Sequence, residues 1–206
     1  MKPLPVPISA PRYFTELQFQ KIIEAIDFIP LKEIVIFAAN TGVRISELIN
    51  LEWTDVNFHK MTIRIANKED FHTKSKRERN LPLNEAAYDV LSGLPRKSNY
   101  IFCRLDGKKR DKHFICRSFK ATLREIGLGD GFSFHSLRHT FASQLVQKGV
   151  SLYMVQKLMG HANITTTEIY AYLAPETFHK IVGVLQLDDK KDPQIEKMIP
   201  AIKTDV

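Results

Sequence analysis

Cysteine is scarce in this chain. Cys103 and Cys116 are the two among 206 residues. Two cysteines build no disulfide framework, and their scarcity suits a reducing cytoplasm. Long apolar runs are missing too: none approaches the ~18 residues that a membrane helix needs. The start, Met1-Lys2-Pro3-Leu4-Pro5, has no apolar core of a secretion signal. There is no P-loop, no dinucleotide-binding glycine fingerprint and no nucleophile elbow. What remains is the composition of an ordinary folded protein, 44% apolar and 26% charged. A chain of this length buries close to ~70% of its unfolded surface and folds without staples.

Negative charge is also in deficit. Thirty Lys and Arg face 23 Asp and Glu, a net charge of +7. The imbalance is local: residues 60–124 hold 17 basic and 7 acidic side chains, so the rest of the chain sums to −3. Such a stretch is either a set of solvated loops or a basic stripe that tracks phosphates, and charge alone does not choose.

Residues 1–13, with Pro3, Pro5, Pro7 and Pro11, read as an extended arm. A first helix starts at Thr15, which with Gln18 makes a capping box, while Phe14 and Phe19 suggest a staple. Leu17, Phe19, Ile22, Ile23 and Ile26 form its apolar face. Helices follow at about 31–39 and from Arg44. The period then changes: 61–65 alternates as a strand, 79–83 reads as its return, and 99–102 as a short third element. Helices resume at about 84–92, 113–126, 135–148, 151–159, 164–172 and 176–186. Ser151 caps one of them and Gly160 ends it. The expected fold is mostly α with a small antiparallel β-sheet. The expected organisation is an arm at 1–13, a catalytic domain at 14–187 and a tail at 188–206.

Three stretches carry chemistry. In Thr41-Gly42-Val43-Arg44-Ile45-Ser46-Glu47-Leu48, Glu47 lies three residues beyond Arg44 and shares its face. The pair is either a surface ion pair of little worth or a guanidinium held toward a phosphate. In His135-Ser136-Leu137-Arg138-His139, His135 and Arg138 share the start of a helix, a setting that suits an anion. His135 and His139 also have the spacing of a metal pair, without the acidic residue of a zinc-protease helix. In Leu158-Met159-Gly160-His161 and onward to Tyr170, Gly160 breaks the helix and frees His161 to approach a tyrosine. Spacing leaves Tyr170 and Tyr172 equal candidates. His59, His72, His113 and His179 read as surface residues, and Trp53 as core.

Together these stretches resemble the catalytic domain of the tyrosine recombinase (phage integrase) family, Xer-like branch, from about Pro11 to Leu187. TGVRISEL at 41–48, HSLRHTFAS at 135–143 and LMGHANITTTEIY at 158–170 carry the resemblance. TKSKRERNLPL at 73–83 looks like the family's basic β-hairpin. The resemblance implies that Arg44 and Arg138 clamp a phosphate and that Lys74 is the hairpin general acid. It makes His135 the histidine of the HxxR block, His161 the second histidine, and Tyr170 the nucleophile; a base would help a tyrosine of ordinary pKa near ~10, and His135 is the candidate for it. Glu47 orients an arginine. Lys76, Arg77, Arg79, Lys108, Lys109 and Arg110 are expected on DNA.

The implied reaction is cleavage and rejoining of DNA through a 3′-phosphotyrosine, with no cofactor and no metal. The implied partners are double-stranded DNA with a specific recombination site and three further copies in a tetramer. No membrane is involved, and the setting is cytoplasmic. The family's separate N-terminal DNA-gripping domain is expected to be absent, and the tail at 188–206 is expected to dock in cis or in trans. A relaxing topoisomerase, a DNA-binding regulator reading with helix 135–148, and a metal nuclease built on His135, His139 and His161 are the rival readings.

Overall fold

The computed structural model describes residues 11–73 and 78–174. Lys74, Lys76 and Arg77, most of the arm, the helix expected at 176–186 and the tail lie outside the described residues.

Helix α1 (Glu16–Ala25) begins at the expected capping box: the Thr15 hydroxyl accepts from the Gln18 amide, and the Gln18 side chain accepts from the Thr15 amide. Ile22 and Ile26 are buried, whereas Leu17 is 63% exposed and drops out of the apolar face. Phe14 is buried and stacks on Phe132, ring centroids 4.6 Å apart. Helix α2 (Ile29–Thr41) extends further at both ends than its apolar pattern suggests, with Pro30 in its first turn. It ends at Gly42, in the left-handed region at φ 63°. A Cβ at Gly42 would overlap the Phe141 ring, so glycine is required both for the turn and for the close approach. Helix α3 (Ile45–Leu48) is a single turn opened by Arg44.

The sheet has three antiparallel strands in the order β1 (Val56–Asn57), β2 (Thr62–Ile65) and β3 (Arg79–Pro82). Ile63 pairs with Leu81 and Ile65 with Arg79. Ile63, Ile65 and Leu81 point into the core, and Arg64 alternates outward to an exposed pair with Glu78. The third strand is β1, not the expected 99–102. Tyr100 makes only an isolated bridge, to Glu52. β1 is two residues long, too short for alternation to reveal.

Helices α4 (Glu85–Gly93), α5 (Lys112–Glu125), α6 (His135–Gln147) and α7 (Leu152–Met159) match their expected positions within one or two residues. Asn84, Asp111 and Ser151 cap three of them with side-chain oxygens. The helix expected at 164–172 is broken. α8 (Thr165–Glu168) is one turn, and Tyr170 opens a separate 3-10 turn over Ala171–Leu173. Helix α6 joins two apolar cores: Leu137 lies in the main one, and Ala142 and Val146 in a smaller one completed by Val155, Met159 and Tyr170. Among the described residues no helix is long and apolar enough to cross a membrane.

Candidate active site

Four chain segments converge around Arg138. It sits in the first turn of α6 and is 2% exposed. Its guanidinium donates to the carbonyls of Gly42, at the end of α2, and Met159, at the end of α7. Both carbonyls are left over where a helix stops, and the planar fork satisfies both. Burial, then the like charge of Arg44, pulls the Arg138 pKa down to about 9. An anion entering this site would oppose both effects.

Glu47 anchors the neighbouring arginines. Its carboxylate is 1% exposed and accepts from the Arg44 backbone amide at 3.0 Å and the Arg44 guanidinium at 2.9 Å. Burial works against the charged form of Glu47. The hydrogen bonds and charges of Arg79 and Arg44 outweigh it and hold the pKa at about 2. Arg44 is therefore a fixed guanidinium, 17% exposed, rather than a loose surface pair.

Arg79 corrects an expectation. Instead of facing DNA from the hairpin, its guanidinium is 9% exposed and turned inward onto Glu47 and the Leu158 carbonyl. Alternation along β3 puts Arg79 on the same inward face as buried Leu81, and a Cβ at Gly160 would strike its guanidinium. Lys108 is exposed, Lys109 lies 5.0 Å over the Tyr100 ring, and Arg110 lies 5.6 Å over Phe28. These three are not drawn into the Arg138 cluster.

His161 sits in the turn after Gly160, as the sequence suggests. Its Nδ1 is 2.9 Å from the Thr167 hydroxyl. Burial, then the charges of Arg138, Arg44 and Arg79, lowers its pKa to about 3, so it is neutral at pH 7. Tyr170 is 1% exposed and Tyr172 58% exposed, which separates the two tyrosines that spacing left equal. Burial pushes the Tyr170 hydroxyl up to about 12, against the pull of Arg138.

The hydrogen-bond partner of the Tyr170 hydroxyl is His139, through Nδ1 at 2.7 Å. The sequence points to His135 as the base and to His139 only as half of a metal pair. His135 is exposed, its ring 4.8 Å from that of His139 and perpendicular to it. Among the described residues no three His, Cys, Asp or Glu side chains gather as a metal site.

A cavity of about 650 Å³ opens beside Arg138 and His135. Its far wall is α5, through His113, which the sequence offers only as a surface residue, and Arg117 and Lys120, which it does not single out. Their spacing of four and three residues places them on one helix face, a periodic basic signal that charge counting alone passes over.

Residues 12–177 match the model of the phage integrase family. The chain is 31% identical over 175 residues to the tyrosine recombinase XerA of Pyrococcus furiosus, covering 80% of this chain and 58% of that protein. Among solved structures, the catalytic domain of bacteriophage HP1 integrase superposes with a TM-score of 0.67 at 27% identity, over 88% of this chain and 99% of that one. The Tn1549 transposon integrase, in complex with a circular intermediate DNA, has the same fold: TM-score 0.70 at 22% identity, over 88% of this chain and 67% of that one. The chain spans between 40 and 64% of the length of relatives such as XerA and the integrase of Salmonella phage P22. With the family model covering residues 12–177 and the mostly helical catalytic-domain fold matching over 88% of the chain, this chain belongs to the phage integrase family of tyrosine recombinases.

Proposed function

We propose that this chain is the catalytic part of a site-specific DNA recombinase that cuts and rejoins strands through a 3′-phosphotyrosine. The observation that carries the reading is the pairing of a carbonyl-braced, buried guanidinium, Arg138, with a buried tyrosine whose hydroxyl is already hydrogen-bonded to an imidazole. The hydroxyl of Tyr170 attacks phosphorus and expels the 5′-oxygen. The new ester keeps the bond energy, so rejoining needs no nucleotide cofactor.

The barrier is dominated by negative charge on the phosphoryl oxygens. Arg44 and Arg138 offset it with hydrogen bonds fixed in advance by Glu47 and by two helix-terminal carbonyls. Neutral His161 donates to a nonbridging oxygen. Lys74 supplies the proton that the departing 5′-oxygen needs. The α5 face with His113, Arg117 and Lys120, which lines the cavity beside Arg138, takes the DNA backbone, and Lys76, Arg77 and Lys108 add positive charge for the same backbone. The partner is double-stranded DNA carrying a specific site, bound by four copies. The two unpaired cysteines suit work in a reducing cytoplasm.

The test starts with a randomised duplex library from which the full chain selects its preferred sequence. That duplex is then nicked next to the cleavage point, so that a cut strand end diffuses away, and run on a denaturing gel. Wild-type protein should form a covalent adduct in excess EDTA, and so should Tyr172→Phe. Tyr170→Phe should bind the duplex and form none. An adduct from Tyr170→Phe, or none from wild type, would overturn the reading.

A further inference from the structure

We infer that His139 is the group that takes the proton from the Tyr170 hydroxyl during strand cleavage and returns it during rejoining. The inference rests on the proposed recombinase activity and deepens it. It moves the base from His135, where the sequence placed it, to the next turn of the same helix.

The geometry is direct. A general base must stand within ~2.6–3.2 Å of the oxygen that it serves. His139 Nδ1 stands 2.7 Å from Tyr170 Oη. The tyrosine is fixed in place: its ring is packed among Ala142, Val146, Val155 and Met159. Its backbone is held by hydrogen bonds from its own amide to Thr167 and from Leu173 to its carbonyl. The imidazole is fixed too, half-buried in α6 one residue beyond Arg138. One helix turn thus carries both the phosphate clamp and the proton acceptor.

The charged and titratable groups facing His139 are His135 and Arg138 on its own helix and Tyr170 on the closing turn. Burial, then His135 and Arg138, lowers the His139 pKa to about 4, while Tyr170 stands at about 12. In the DNA-free protein the proton therefore rests on the tyrosine, and the imidazole is an open acceptor. A phosphodiester beside Arg138 and His135 neutralises the charges that hold His139 down. As the oxygen bonds to phosphorus, its proton becomes strongly acidic. The proton then crosses to Nδ1 late in the step, leaving an imidazolium with its other proton on Nε2. The O–H bond of Tyr170 breaks, its O–P bond forms, and the P–O5′ bond breaks with a proton supplied to the 5′-oxygen by a separate acid. On rejoining, the imidazolium gives the proton back to the leaving phenolate.

The test uses the full chain and the nicked duplex selected above, under single-turnover conditions. In His139→Asn the amide oxygen occupies nearly the position of Nδ1, so it can accept the hydroxyl hydrogen bond but cannot keep the proton. Adduct formation should fall at least roughly a hundredfold, with DNA affinity unchanged. His139→Ala should show a similar loss and be partly restored by added imidazole, in proportion to its neutral form. An Asn variant within about threefold of wild type, or an Ala variant indifferent to imidazole, would overturn the assignment while leaving the Tyr170 adduct in place. No adduct from wild type would instead remove the recombinase reading, and this role with it. A measurement free of substitution uses the wild-type protein labelled with 15N-histidine. The inference requires His139 to carry its proton on Nε2 in the DNA-free state, and an Nδ1–H tautomer donating to Tyr170 would overturn it.

Discussion

Arg79 and Glu47 form a two-point ion pair in the interior, with guanidinium nitrogens 2.7 and 3.2 Å from the two carboxylate oxygens. They lie 32 residues apart, on β3 and α3. The same carboxylate holds Arg44, and the same guanidinium reaches the end of α7 through the Leu158 carbonyl. One pair thus ties the sheet, the Arg44 turn and the His161 turn together.

Removing one partner of such a pair leaves the other charge buried and alone. Arg79→Ala should lower unfolding free energy by about 3 kcal/mol. Arg64→Ala, which breaks the exposed pair with Glu78, should leave the urea midpoint unchanged. Equal effects from the two variants would mean that the Arg79–Glu47 pair is not the tie described.

Acid should unfold the protein in two stages. His139 and His161 have folded pKa values of about 4 and 3, below their ordinary 6.5. The unfolded chain therefore binds protons that the folded one refuses, and stability falls as pH drops below 6.5. Glu47 has a folded value of about 2 against an ordinary 4.5. Its contribution, roughly 3 kcal/mol, is present above 4.5 and is lost as pH falls from there toward 2. Urea midpoints across pH should show both slopes, and Glu47→Gln should flatten only the one below 4.5.

What the sequence shows of this fold follows from the range of each signal. Caps at Thr15 and Ser151 are local, and the helices they open fall where expected. Gly42 and Gly160 mark where two helices stop, but the roles expected of Arg44, Arg138 and His161 come from the family resemblance alone. The inward turn of Arg79 and the Tyr170–His139 contact were not. Each joins segments at least 31 residues apart, and no periodicity encodes such a meeting. The break before Tyr170 was missed for the opposite reason: Thr165 to Tyr172 reads as one unbroken helix until tertiary packing draws Tyr170 into the small core.

Lys74 should act at the leaving oxygen. An alkoxide is a poor leaving group without a proton, and the hairpin lysine is the resemblance's donor. Lys74→Ala should slow adduct formation strongly on ordinary DNA. On DNA with a bridging 5′-sulfur at the cleavage point, the thiolate leaves unaided and the rate should recover. Equal defects on both substrates would assign Lys74 to phosphate positioning, and recovery in Lys76→Ala would move the role there.

Arg138→Lys keeps the charge and should still fail. DNA affinity follows mainly the number of phosphate charges neutralised, so binding should stay within a few-fold of wild type. Catalysis depends instead on a planar group that spans the Gly42 and Met159 carbonyls while presenting its remaining N–H groups to a phosphate. A lysine ammonium is a single point, and it leaves at least one of those buried carbonyls unpaired, at a cost of about 1–3 kcal/mol in stability. It also loses the prearranged two-point contact with the phosphoryl oxygens, where the loss of one fixed donor typically costs about 10²–10³ in rate. Adduct formation should therefore drop roughly a hundredfold or more under conditions where the variant is folded and bound to DNA. Near-normal cleavage by Arg138→Lys would mean that charge alone serves at this position and that the carbonyl bracing is only structural.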